Sequence, residues 1–188
     1  ITNEILIKKH TEPNDIVFHA DIIGAPFVVV KTEGKTLREE VIQEAAQFAA
    51  SYSRAWREKL AAIDVYWVRP NQVSKTAPSG QYLEKGAFVI QGAKNYIRKA
   101  SLRVGIGLQR SDEKLNVVGG PVNAIRKHAD MYVEVVPGEE SSAKLARQIR
   151  QQLFERTRIE DRERISRLPL EEIQQFIPYG KGAVAGAK

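Results

Sequence analysis

Apolar positions along the chain fall into short alternating runs separated by turn residues, with two longer stretches of helical spacing. Between Ile5 and Thr32, runs rich in Ile and Val are broken by Glu12-Pro13-Asn14-Asp15 and by Gly24-Ala25-Pro26. This spacing predicts three strands, at about Glu4 to Lys8, Ile16 to Ala20 and Phe27 to Lys31. Leu37, Val41, Ala45, Phe48, Tyr52, Ala55 and Leu60 then recur at three and four residues, which predicts one helix of about six turns. Thr36 and Glu39 stand at capping-box spacing before it. Asp64 to Arg69 alternates as a strand that Pro70 ends, and Asn71 to Lys85 reads as a long polar loop.

Further strands are expected at Phe88 to Ile90, Tyr96 to Leu108, Leu115 to Val118 and Met131 to Val136. The pair Gly105 and Gly107 leaves room for another backbone or a ligand. Gly119-Gly120-Pro121 introduces a short helix to His128, with proline at a favoured first position. Ser141 to Arg156 reads as a second amphipathic helix carrying Leu145, Ile149 and Leu153, and Leu170 to Phe176 as a third. Pro178 and a Gly/Ala-rich tail follow, and the tail is expected to be mobile. The fold class is α+β: a mixed, largely antiparallel sheet with the Leu37 to Leu60 helix packed on it, plus a smaller C-terminal α/β extension. Pattern and charge shift near Ser111, dividing the chain into residues 1–110 and 111–188.

Charge changes this picture most. Val65 to Arg110 holds eight Lys or Arg against the single acid Glu84, while the whole chain of 188 residues has 29 against 23, a net +6. The excess cations therefore sit in one quarter of the sequence, interleaved with Tyr66, Trp67, Tyr82, Phe88 and Tyr96. Clustered Lys and Arg beside aromatics suit a polyanion, because they displace condensed counterions from phosphates. The loop from Val73 to Gly80 adds hydroxyls and backbone N–H groups suited to phosphate and sugar oxygens. The candidate RNA-binding residues are Arg69, Ser74, Lys75, Thr76, Lys85, Lys94, Tyr96, Arg98, Lys99, Arg103 and His19. A merely soluble basic surface is the plainer alternative.

Other chemistry finds less support. His19 and Asp21 share a strand face and could bind a divalent ion, but a site needs three or four ligands, and His10 and His128 lie in unrelated contexts. His19 is better read as structural or RNA-facing. No Ser stands in a nucleophile elbow. The pairs Glu39-Glu40, Glu139-Glu140 and Glu171-Glu172 are expected at helix N-termini, opposing the dipole. Gly119-Gly120 could cradle an anion or make a tight turn. Arg54, Arg57 and Lys59, and the mixed charges from Arg147 to Arg167, read as solvated surface. No catalytic residue, metal or cofactor is expected, and an enzyme is not.

The chain has no cysteine, which excludes a disulfide scaffold. The apolar run Ile22 to Val30 contains Gly24 and Pro26 and falls short of the roughly 18 residues of a membrane span, so no membrane partner is expected. No secretory leader opens the chain, and the expected location is cytoplasmic. The chain starts on Ile1 and its one methionine is Met131, so it reads as a piece of a longer gene product.

Several segments in one order resemble a known family: His19 to Lys31 (HADIIGAPFVVVK), Glu44 to Ser53 (EAAQFAASYS), Asp64 to Pro70 (DVYWVRP), Val73 to Gly80 (VSKTAPSG) and Lys85 to Ile90 (KGAFVI). Over about residues 1–108 they are similar to the NFACT-R domain, the RNA-binding module of the NFACT proteins of ribosome-associated quality control, in its archaeal and eukaryotic form. Gly119 to Ile125, Tyr132 to Gly138 and Phe176 to Gly182 are similar to the C-terminal extension of archaeal members. The resemblance implies a partnership with tRNA and large-subunit ribosomal RNA, on a stalled large ribosomal subunit carrying peptidyl-tRNA. It also implies a missing N-terminal NFACT part of the same gene product, which carries the residues for untemplated tailing. Tailing is therefore not assigned to this piece, and RNA binding is. The alternative is a protein-interaction module docking its basic face on an acidic ribosomal or quality-control partner.

Overall fold

The computed structural model describes residues 2–75, 87–111 and 114–186. The chain opens on a helix, α1 (Asn3–His10), and continues through β1 (Ile16–Ala20), β2 (Val28–Val30), α2 (Glu39–Ser51) and β3 (Ala62–Val68). A single 3-10 turn (Pro70–Gln72) leads to β4 (Val73–Ser74), and β5 (Val89–Ile90) and β6 (Asn95–Ser101) follow. The remainder is β7 (Val104–Ser111), β8 (Lys114–Gly120), α3 (Val122–His128), β9 (Met131–Ser141), α4 (Ser142–Arg156), α5 (Ile159–Ser166), α6 (Leu170–Gln174) and β10 (Lys181–Val184).

Two four-stranded sheets result, ordered β2-β1-β3-β6 and β10-β9-β7-β8, together with a small β4-β5 ribbon. Every described pairing is antiparallel. The strands expected as one piece from Tyr96 to Leu108 break at Leu102 and Arg103, where the chain passes from the first sheet to the second. One buried core runs through both, from Phe18, Ala46 and Val65 to Ile106, Val135, Leu145, Ile149 and Leu153. The first sheet also buries its other face: Val17, Phe27, Tyr66 and Val68 lie beneath Leu6, Ile7, Val73 and Phe88.

Six further expectations are corrected. Glu4 to Lys8 is helical: the Thr2 hydroxyl accepts the N–H of Ile5, Glu4 pairs with Lys8 one turn on, and Leu6 and Ile7 reach the sheet. A short apolar run carries no period of its own, so packing decides it. The long helix runs from Glu39 to Ser51, with Arg38 as N-cap and no side-chain cap bond, so the Thr36 and Glu39 box does not form. It stops where Ser53 competes for backbone: its hydroxyl donates to the Ala50 carbonyl at 2.8 Å and accepts from the N–H of Ala55 at 3.2 Å. The buried face is Ala45, Ala46, Ala49 and Ala50, and Phe48 and Leu60 lie outside it. Glu139-Glu140 sits in β9 rather than at a helix start, with Glu139 between Lys59 and Lys181. The tail is ordered through Val184, because β10 pairs with β9 and the Trp56 indole N–H donates to the Lys181 carbonyl at 2.7 Å.

Gly119-Gly120 is the fifth. A Cβ on Gly119 would collide with the Phe176 ring, and Gly119 and Gly120 both belong to β8, so Gly119 makes room for an aromatic side chain and the pair is not an anion cradle. Pro121 is the N-cap of α3 rather than its first residue. Gly107 lies under the β9 backbone, 2.3 Å from the Met131 carbonyl if given a Cβ, the close approach expected of it. Gly119→Ala is expected to destabilise the fold by about 1–3 kcal/mol through overpacking, whereas Gly120→Ala, whose nearest neighbour would be 4.0 Å away, is expected within about 0.5 kcal/mol of the parent. Urea unfolding of both variants checks this, and equal effects would contradict the packing account.

Candidate nucleic-acid interface

A bulge sets the geometry of the edge strand β6. Its register with β3 pairs Ile63 with Ala100 and Val65 with Ile97, so Asp64 alone opposes both Arg98 and Lys99. Lys99 takes φ 54°, and the Asp64 carboxylate accepts its N–H at 2.8 Å and the Arg98 guanidinium at 2.6 Å. These two bonds hold the Asp64 carboxyl below its ordinary range, the Lys99 N–H first. An extra residue in one strand changes which side chains point outward. Here Arg98 and Lys99 are both exposed while Ile97 and Ala100 stay buried.

Beside the bulge, three aromatic side chains stand in register across three strands. His19 of β1 is opposite Tyr66 of β3, and Tyr66 is opposite Tyr96 of β6. Their ring centroids are 5.5 and 5.8 Å apart, and Phe27 meets the far side of His19 at 5.1 Å. Exposure rises along the row from Tyr66 at 5% to Tyr96 at 38%. The Lys94 ammonium lies 4.3 Å from the Tyr66 ring and the Arg98 guanidinium 4.2 Å from the Tyr96 ring. Arg98 thus sets a cation against the ring of Tyr96, and a planar guanidinium and an aromatic ring are both surfaces on which an unpaired base can stack.

Titration follows from these surroundings. Burial, then the charge of Asp21 and the neighbouring Tyr96, pushes the Tyr66 hydroxyl up to about 12, so it remains a neutral hydroxyl near pH 7. Burial holds His19 below its ordinary 6.5, against the opposing pull of the Ala25 carbonyl and Asp21. Neutral His19 places its proton on Nε2, 3.1 Å from the Ala25 oxygen.

The other expected residues spread out. Arg69 donates to the Asn14 carbonyl at 2.6 Å, and Ser74 lies in β4. Lys75 pairs with Glu4 of α1, Arg103 with Glu134 of β9 at 2.6 Å, and Arg110 with the buried Asp161. Thr76 and Lys85, like Tyr82, lie outside the described residues. The structure therefore brings together His19, Lys94, Tyr96, Arg98 and Lys99. It adds Tyr66, read from the sequence only as one of the interleaved aromatics, and Asp64, because strand pairing sets their roles. Among the described residues no three acids or histidines gather as a metal site, so His19 and Asp21 have no third ligand there.

A family model described as "NFACT protein RNA binding domain" matches residues 1–92. This part of the chain belongs to the NFACT-R family. The chain is 44% identical over 169 residues to the "Archaeal Rqc2 homolog aRqcH" of Methanocaldococcus jannaschii, covering 90% of the chain and 25% of that protein. It is 41% identical over 107 residues to the "Ribosome quality control complex subunit NEMF homolog" of Drosophila melanogaster, 56% of the chain and 11% of that protein. The human "Ribosome quality control complex subunit NEMF" is 40% identical over 104 residues, 55% of the chain and 10% of that protein. The chain thus spans a quarter or less of these curated relatives. Similarity to the archaeal protein runs past the NFACT-R match into the second half of the chain. His19 and Tyr66 lie inside the NFACT-R match, and β6 closes the same sheet just beyond it.

His19 predicts a pH dependence of this NFACT-R fold. The unfolded chain takes up a proton near 6.5 and the folded chain does so only at lower pH, so the stability gained by burying neutral His19 is complete above 6.5 and lost as pH falls below it. The carboxylates held low titrate below their ordinary 3.8 or 4.5, outside that window. Melting measured between pH 7.5 and 5 is expected to show a decline that His19→Phe removes, and an unchanged decline in that variant would contradict the assignment.

Proposed function

We propose that this chain is a non-enzymatic RNA-holding module of a ribosome-associated quality-control factor. Its ligand is tRNA or large-subunit ribosomal RNA on a stalled large subunit that carries peptidyl-tRNA, and it works in the cytoplasm. The observation that carries this reading is the His19-Tyr66-Tyr96 row flanked by Lys94, Arg98 and Lys99. Family membership and the quality-control names of the relatives support it. Stacking on Tyr96 and Arg98 suits unpaired bases, and the three cations suit backbone phosphates. Stacking needs bases free of a duplex, so loops and single-stranded segments are the natural targets.

Three phosphate contacts imply a slope of log K against log salt of roughly −2 on single-stranded RNA. Lys94→Ala with Lys99→Ala is expected to flatten that slope by about 1.4. Tyr96→Leu is expected to weaken binding by roughly 5- to 150-fold with the slope unchanged, the range for losing one stacked base. Filter binding of tRNA across a salt series measures both. Wild-type affinity and slope in all variants would overturn the reading. If RNase fails to release the ribosome-bound chain, the docked partner is instead an acidic protein.

A further inference from the structure

We infer a second phosphate-binding site, built by Arg103, Arg126 and Arg156 on the second sheet and outside the residues matched by the family; it rests on the RNA reading above and extends the path of the same strand. The three arginines come from three elements: the link into β7, α3 and the last turn of α4. They surround two residues of β9. Glu134 accepts from Arg103 at 2.6 Å and lies 3.9 Å from Arg126. The Arg126 Nε–H donates to the Tyr132 hydroxyl at 2.9 Å, and Arg156 reaches the Tyr132 carbonyl at 3.4 Å.

One carboxylate among three guanidiniums leaves two positive charges in excess. Each guanidinium has five N–H donors, and these bonds use a minority of them. The bonds also fix the side chains, which lowers the entropy cost of closing on an oxyanion. Arg126 remains 59% and Arg103 45% exposed, while Glu134 is set back at 23%. The fork of N–H groups matches a phosphodiester, which accepts two parallel bonds.

Continuity with the first sheet favours RNA over an acidic peptide. Arg98 and Lys99 also line a groove with Glu44, Gln47, Ser101 and Asn123, in which the Glu44 carboxylate lies 3.7 Å from the Lys127 ammonium. Asn123 and Arg126 lie three residues apart on one face of α3, so a strand leaving Tyr96 over the β6 edge meets amide and hydroxyl groups and then the three arginines. Sugar and phosphate oxygens suit that order of groups.

The test compares the 188-residue chain on oligouridylates of about four and about twelve nucleotides, lengths below and above what one surface spans. Arg126→Ala with Arg156→Ala is expected to leave the short ligand unaffected and to weaken the long one by on the order of tenfold, with the salt slope flattened by about 1.4. Glu134→Gln, which leaves the arginines in place, is expected to tighten the long ligand. An ion pair of structural value alone would lose thermal stability in that variant with no gain in affinity. Loss of affinity for the long ligand in Tyr96→Leu but in neither arginine nor glutamate variants would remove the second site and leave the first. No effect in any variant, or no RNA binding by the parent, would remove both. Equal binding of a polyglutamate peptide of the same charge would overturn the choice of RNA.

Discussion

Helix α2 and the turn that follows it hold the two sheets in one body. Its alanine face lies on β1, β3 and β6, and small side chains there let the helix sit close to the strands. Its polar side chains reach the other way. Gln47 accepts the N–H of Val122, Ser51 exchanges two bonds with the Arg103 backbone, and Tyr52 donates to the Phe176 carbonyl at 2.8 Å. Trp56, 1% exposed, ties the same region to β10. Buried polar groups must be paired, so these bonds fix the angle at which the second sheet meets the first. The helix end at Ser51, set by the Ser53 hydroxyl, leaves Tyr52 and Trp56 where they reach their carbonyls.

That arrangement reorganises the charge of the chain. A run of cations in sequence meets carboxylates supplied by distant elements: Glu4 for Lys75, Asp64 for Arg98, Glu134 for Arg103 and Asp161 for Arg110. Such pairs at a surface add little stability, but they fix where guanidiniums point. Arg98 sits 4.2 Å from the centre of the Tyr96 ring while Asp64 holds its guanidinium. The proposed RNA surface is thus smaller than the basic stretch and richer in aromatic area. It depends on the β6 bulge, which turns two successive residues outward where a regular strand would bury one.

Much of this architecture was legible in the residues. β1 was bounded by Pro13-Asn14 and Gly24, and α4 by the Ser141 hydroxyl, which accepts the N–H of Lys144. His19, Lys94, Tyr96, Arg98 and Lys99 were legible as candidates from charge beside aromatic rings. What stayed hidden depends on contacts remote in sequence. The Ile5-Leu6-Ile7 run fits strand or helix equally until the sheet face selects one. Glu139 looks like a helix cap until Lys59 and Lys181 arrive beside it. The tail looks featureless until β9 offers its edge. The same holds for Asp64, an ordinary strand residue until a bulge on its partner places two donors opposite it, and for Arg126 and Arg156, which lie on separate helices and meet only around Tyr132.

The central claim is that RNA lies on the row ending at Tyr96. Ultraviolet crosslinking of the chain to ribosome-associated RNA, followed by mass spectrometry of the nucleotide-bearing peptides, tests it most directly. Adducts are expected on the peptide that contains Lys94, Tyr96 and Arg98. Adducts confined to other surfaces, with that peptide recovered unmodified, would contradict it.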